Sequence, residues 1–196
     1  MSKVVSKSIG AFCQHYPKVA CVVTASAKGR DNAMAAAWHS VLSVSPPLYG
    51  VALSPKRFTY QLITESKEFG INFLPFESAE ILASVGGSDG REVDKFSRFD
   101  IARDESVETG VPILTDAYAA YECKLVDDRG YGDHRWIVGE IVAVHWLKEA
   151  LTQDEVIDLD KVKPTLYIGK ELYLAPLKDS MKYLDRQVYA KGLKEG

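Results

Sequence analysis

The strongest constraint on the fold is a pair of long apolar runs, residues 117–126 and 134–147, on either side of the turn-rich segment DDRGYGD. Runs rich in β-branched and aromatic residues around such a segment read as an antiparallel hairpin. In the second run Trp136, Val138, Glu140, Val142, Val144 and Trp146 share one face by two-residue alternation. Ile137, Gly139, Ile141, Ala143 and His145 take the other. Both faces are largely apolar, so this strand should be covered on both sides or lie at an interface. A hairpin of this kind needs further strands, and residues 19–25, 32–38, 48–53 and 68–74 supply short apolar candidates. The turn cluster at 26–31 joins the first two of them as a hairpin.

Helical signals are fewer. Ile9, Phe12 and Cys13 have helical spacing, so residues 1–18 read as a short amphipathic lead-in ended by Pro17. Ser54 suits an N-cap with Pro55 at the first helical position, and Leu62-Ile63 give the apolar spacing that follows. Residues 78–85 form a second helical pattern, stopped by Gly86-Gly87. Thr152 and Glu155 have the spacing of a capping box, which predicts a short helix after residue 152. Residues 88–116 are polar and turn-rich, and residues 164–177 add one or two strand-like pieces. Many short strands, few helices and no βαβ alternation predict a mainly β fold, a Greek-key barrel or sandwich. The 196 residues read as a single domain, with no repeat and no linker that would divide them.

Charge and motifs exclude several functions. Lysine and arginine number 24 against 27 aspartate and glutamate, a net charge of −3, so no global basic field favours nucleic acid. An anion site would have to be built locally. No apolar run approaches the ~18 residues of a membrane span, and the first residues lack a signal-like apolar core, so a cytoplasmic protein is expected. Cys13, Cys21 and Cys123 are odd in number and show no C-x-x-C spacing, which argues against disulfides or a thiolate metal site. The histidines at 15, 39, 134 and 145 are scattered, and no metal is expected. Dinucleotide, P-loop and hydrolase-elbow motifs are all missing.

Local chemistry concentrates in residues 32–59, NAMAAAWHSVLSVSPPLYGVALSPKRFT. Ser54, Arg57 and Thr59 stand where a helix follows a strand, and free amides, a hydroxyl and a guanidinium there suit a phosphate. On spacing alone an ordinary cap with solvated cations is the commoner outcome. The segment GGSDGREVDKF adds Ser88, Arg91 and Lys95 after a Gly-Gly turn that could bring amides to an anion, or could be a solvated loop. Ala35, Ala36 and Ala37 form a stretch without bulky side chains, over which a flat ring could lie, and Trp38 and His39 end it. His134 heads the second long strand, as loop filler or as a ring-facing donor.

Taken together, NAMAAAWHSVLSVSPPLYGVAL, SPKRFTYQLI, EFGINFL, GGSDGREVDKF and GDHRWIVGEIVAV, in that order, resemble the flavin reductase-like, FMN-binding split-barrel proteins, including flavoredoxins and archaeal ferric reductases. The resemblance spans roughly residues 15–175. It implies a split β-barrel with Greek-key connections, working as a homodimer with flavin sites near the subunit interface. Ala35, Ala36, Ala37, Trp38, His39 and Ser40 would run beside the isoalloxazine. Leu53 and Ser54 would continue the pocket, and Arg57 and Thr59 would meet the phosphate of FMN. Lys95, with Ser88 and Arg91, would approach the phosphate or ribityl chain, and His134 would lie on the nicotinamide side. The implied activity passes electrons from NADH or NADPH through flavin to free flavin, ferric complexes or a redox protein partner. An electron carrier reduced by another protein is the alternative. The flavin carries the chemistry in such proteins, which accounts for the missing catalytic motifs.

Overall fold

The computed structural model describes residues 2–190. Along the chain run β1 (Lys18–Val19), β2 (Cys21–Ala27), β3 (Arg30–Ala36), β4 (His39–Val44), β5 (Pro47–Leu53) and α1 (Phe58–Ser66). After them come β6 (Glu68–Phe73), α2 (Ala79–Gly86), α3 (Lys95–Arg98), β7 (Arg103–Asp104) and β8 (Ile113–Leu114). The chain continues through β9 (Ala119–Tyr131), β10 (His134–Trp146), β11 (Leu166–Gly169), β12 (Leu172–Leu174) and α4 (Arg186–Ala190).

Seven strands form one antiparallel sheet in the order β3-β2-β6-β9-β10-β5-β4. Its two edge strands, β3 and β4, are halves of one extended run, separated only by Ala37 and Trp38. The first half pairs with β2 and the second with β5, and the Trp38 carbonyl already accepts from Ala52 N–H at 2.8 Å. The sheet therefore curls until its edges meet at a single segment, a barrel split at residues 37–38. This is the mainly β, split-barrel architecture expected above. Hairpins β2–β3, β4–β5 and β9–β10 are linked out of neighbour order, as Greek-key connections require.

The barrel interior is packed by Val23, Val51, Leu53, Ile63, Phe69, Ile71, Cys123 and Ile137, all essentially inaccessible. Outside the sheet, Leu82 and Val85 of α2 and Phe96 of α3 pack on Val22, Ala33 and Leu74, so both short helices lie beside β3. Burying such side chains contributes about 1.5–3 kcal/mol each before entropy is counted.

Several local expectations are corrected. Residues 2–17 form no helix; Ile9 lies exposed, and Phe12, still partly exposed, sets its ring edge-on to Trp38 at 6.1 Å. The first hairpin turns on Lys28-Gly29 alone, both with positive φ (52° and 73°), the geometry that matches strand twist in a two-residue loop. Residues 39–44, unassigned from sequence, are a strand. Helix α1 starts at Phe58, not after Ser54; Arg57 is its N-cap, with no side-chain cap bond. The segment at 127–131 is strand, not loop, and β9 and β10 turn on Gly132-Asp133. Two bulges interrupt the β9–β10 pairing: Val126 is extra on β9, and Val142 is extra on β10, where it breaks the assigned alternation. Before the Val142 bulge Ile137, Val138 and Gly139 are all buried, so β10 is covered on both faces there, while Trp146 beyond it is 57 % exposed. No helix follows Thr152; its N–H donates to the Val156 carbonyl at 2.8 Å, folding a loop closed by a Leu151–Ile157 bridge.

Candidate functional site

A cleft of about 540 Å³ opens along the split. One wall is the edge of β3, the other is the end of β5 with the turn into α1, and the loop after α2 closes it below. Ala35, Ala36, Ala37, Trp38, Leu53, Ser54, Arg57, Thr59, Ser88, Arg91, Lys95 and His134 all line it. Segments as distant in sequence as Tyr16 and Tyr167 meet here because the barrel closes at this point.

The ring-sized end is built from backbone and aromatics. The Ala33 carbonyl faces off the sheet edge, where it accepts from Lys95, so strand alternation turns the Ala35 and Ala37 backbone groups the same way. Trp38 donates its indole N–H to the Tyr16 hydroxyl at 3.0 Å, and its ring lies 5.0 Å from that of His134. His134 is held in turn by Asp133 at 2.8 Å. Tyr16 and Tyr167, 5.7 Å apart by ring centroids, complete this wall.

The opposite end is cationic. Asp94 caps α3 by accepting from Phe96 N–H and Ser97 N–H, and this places Lys95 on the first turn against β3. Lys95 is only 3 % exposed, and its ammonium donates to the carbonyls of Ala33 (2.9 Å) and Val85 (2.6 Å). Desolvation lowers its pKa to about 8, partly offset by Asp89. An ammonium has three protons, and the third is left for the cleft. Thr59, in the first turn of α1, accepts from the Asn32 amide at 2.8 Å. Asn32 is 2 % exposed, yet its Oδ1 has no partner among the described residues. Turned end for end, the amide would accept from the Thr59 hydroxyl and leave its NH2 free, the orientation that an anion selects. The Arg57 side chain carries no ion pair among the described residues and stands at the uncapped start of α1. Ser88 donates to the Ser84 carbonyl at 2.8 Å, and Ser54 accepts weakly from Lys56 N–H at 3.4 Å.

Two expected residues lie elsewhere. His39 points away from the cleft: its Nε2 contacts the Val19 carbonyl at 2.8 Å and its Nδ1 the Tyr49 hydroxyl at 2.6 Å. A carbonyl can only accept, so Nε2 carries the proton and Nδ1 accepts from Tyr49. Burial lowers the pKa and keeps this imidazole neutral, a link between β1, β4 and β5. Ser40 is exposed and donates to the Val41 carbonyl. His39 instead lines a second cavity of about 640 Å³ with Tyr49, Phe73, Tyr118, Tyr121 and Trp146, which meets the cleft only at Ala37. Asn32, Tyr16, Phe58, Gly90 and Tyr167 also line the cleft and escaped the sequence reading. Asn32, Phe58 and Gly90 had a signal in lying within the segments singled out for an anion, whereas Tyr16 and Tyr167 had none.

The residues present fit a flavin nucleotide. A buried ammonium with a spare proton, a buried amide short of a partner and uncapped helix amides converge at one end. The bare β3 edge and an aromatic wall stand at the other. Among the described residues no group of metal-capable side chains is found, and no helix is long and apolar enough to cross a membrane.

Comparison with known proteins agrees with this geometry. The family model described as flavin reductase like domain matches residues 13–173. A protein of Aeropyrum pernix is 34 % identical over 158 residues, covering 79 % of this chain, and the chain spans only 59 % of that relative's length. A ferric-chelate reductase (NAD(P)H) of Archaeoglobus fulgidus is 31 % identical over 130 residues, covering 66 % of this chain and 76 % of the relative. The crystal structure of an FMN-binding protein from Thermus thermophilus with bound 1-cyclohex-2-enone superposes with a TM-score of 0.83 at 35 % identity. It covers 93 % of this chain and 99 % of that one.

Proposed function

The chain belongs to the flavin reductase-like family, and on that premise we propose that it binds FMN in the cleft at the barrel split and works as an NAD(P)H-dependent oxidoreductase. The observation that carries this reading is the asymmetry of the cleft, with partner-poor buried donors at one end and a bare strand edge at the other. Bound flavin would supply hydride and electron transfer. Lys95, Arg57, Thr59 and Asn32 hold the phosphate by charge-assisted bonds in a partly desolvated setting. The outward Ala35 and Ala37 backbone groups present donors and acceptors to the polar edge of the ring. Trp38 and His134, fixed by Tyr16 and Asp133, stand where a nicotinamide would approach and limit water there. The relative named a ferric-chelate reductase supports ferric complexes as acceptors; free flavin and a redox protein are the other classes. The test is oxidation of NADH and NADPH by purified protein with FMN, with and without a ferric chelate. Nicotinamide oxidation that needs FMN is expected; none with any acceptor would reject the reductase and leave a flavin carrier reduced by another protein.

The same reading makes the protein a homodimer. Val41 and Val44 of β4 are 60 % and 88 % exposed, and Val144 and Trp146 rim the second cavity with no cover. Exposed apolar side chains gathered on β4 and the end of β10 suit an association face. Light scattering on the eluting protein should give twice the 21.7 kDa chain mass, and a monomer would reject it. The buried free thiols Cys21 and Cys123 suit the reducing cytoplasm.

A further inference from the structure

Two loops meet across the cationic end of the cleft, and their contacts do not serve a phosphate directly. Arg91 Nη2 donates to the Lys56 carbonyl at 2.8 Å, bridging the loop after α2 to the turn before α1. The same guanidinium pairs with Asp89 at 3.2 Å through Nη1, and Asp89 also accepts from Arg91 N–H. Arg30 Nη2 donates to the Gly90 carbonyl at 2.8 Å. The Phe58 ring is packed by both guanidiniums, 4.5 Å from Arg30 and 5.6 Å from Arg91. Beneath them Gly90 is buried so tightly that a Cβ there would come within 2.0 Å of Asn32 Oδ1.

Resting on the flavin reading above, we propose that this Arg91–Lys56 clasp makes the cleft selective for a flavin that ends in a phosphomonoester, FMN, against one that continues through a pyrophosphate, FAD. Inside the clasp stand Lys95, Arg57, Thr59 and Asn32. A terminal phosphate offers three non-ester oxygens to these donors and ends there. In a pyrophosphate one of those oxygens becomes a bridge to a second phosphate and a nucleoside. That extension would leave past the Arg91–Lys56 bond or past Gly90, which is packed on Asn32. Opening the clasp breaks a charge-assisted bond and exposes Phe58, and the monophosphate incurs neither cost. The terminal phosphate also carries the larger charge, which Lys95 and Arg57 reward at close range. Arg91 acts here as a specificity-determining residue through the loop that it ties down.

The experiment is titration of the flavin-free protein with FMN, FAD and riboflavin by fluorescence quenching or calorimetry. The wild-type protein is expected to bind FMN at least tenfold more tightly than FAD and than riboflavin. Arg91→Lys keeps a cation but lacks the fork that reaches Asp89 and the Lys56 carbonyl together. It should reduce the FMN-to-FAD preference at least fivefold. Arg30→Gln, which releases Gly90, is the second variant and should move the ratio the same way; melting curves establish that each variant folds. Equal wild-type affinities for FMN and FAD, or a ratio unchanged in the folded variants, would overturn the clasp and leave the flavin site standing. Binding of none of the three would instead overturn the flavin reading itself.

Discussion

Two charged side chains are buried among the described residues, Lys95 beside the cleft and Glu122 near the start of β9, and they are provisioned in opposite ways. Glu122 is fully inaccessible and accepts from Val107 N–H (2.8 Å), Glu108 N–H (2.9 Å), Thr109 N–H and hydroxyl (2.8 Å each) and His145 Nε2 (2.7 Å). Burial alone would raise its pKa, but these donors outweigh it and hold the group near 2. Lys95 has two carbonyl acceptors for three protons, and burial takes its pKa down to about 8. A buried charge saturated by its own chain secures a loop, here residues 107–109 against the barrel. One left short of partners is complete only when a ligand arrives. Under the proposed function, the difference separates a charge that secures the fold from one that meets a ligand.

The sharpest way to break this comparison is to neutralise each charge. Glu122→Gln puts an NH2 against amides that need an acceptor and should cost about 3 kcal/mol in denaturant unfolding, with FMN affinity unchanged once folded. Loss of flavin affinity at full stability would reverse the assignment. Lys95→Met should do the opposite. FMN affinity is expected to fall by roughly 1.5–3 kcal/mol, about ten- to a hundredfold, while the flavin-free protein is at least as stable as the wild type at neutral pH.

Arg57→Ala removes a more exposed cation and should weaken FMN by at most that amount, read in the same titration. Unchanged affinity would take Arg57 out of the phosphate site.

The two charges also differ in pH. The Glu122 pKa is depressed in the fold, so its stabilisation is present above about 4.5 and is lost as pH falls toward about 2. Lys95 is depressed from 10.5 to about 8, so in the flavin-free protein it contributes stability as pH rises through that window. FMN favours the charged ammonium, and its affinity should therefore decline above about pH 8 while that of riboflavin stays flat. Parallel pH profiles for the two flavins would contradict a phosphate contact by Lys95.

Last and smallest, replacing Cys13, Cys21 or Cys123 with Ala should leave flavin binding unaltered. Burial pushes the Cys123 thiol up to about 12 and Cys21 higher still, so neither buried thiol is poised for redox chemistry. Loss of electron transfer in a folded Cys21→Ala protein would show otherwise.

Much of the barrel was legible because strands announce themselves locally. The runs at 48–53 and 68–74 contain enough β-branched and aromatic residues to specify strand, and Gly86-Gly87 does stop α2. The clearest failures arise where the backbone or side chain takes a different partner, near or far in the chain, from the one the residue pattern implies. Ser54-Pro55 has the chemistry of a helix start, yet the Arg57 N–H donates to the Ser54 carbonyl in a turn and the helix waits for Phe58. Thr152 and Glu155 have capping-box spacing, but the Leu151–Ile157 bridge takes the backbone into a loop. The bulge at Val142 breaks the alternation assigned along β10 beyond that point. The family resemblance set His39 in the segment beside the flavin, and its side chain points to the opposite side of the strand, where Tyr49 and Val19 satisfy it.

By itself the sequence determined the strand-rich class, the absence of the usual catalytic motifs and the segments from which an anion site could be made. Those follow from composition and short-range spacing, which act between neighbours along the chain. Only the tertiary structure decided that residues 32–38, 53–59, 86–95 and 134 face one cleft, and that Lys95 and Asn32 are buried with bonding capacity to spare. Burial and pairing are relations between distant segments, set when the two sheet edges close at Ala37 and Trp38.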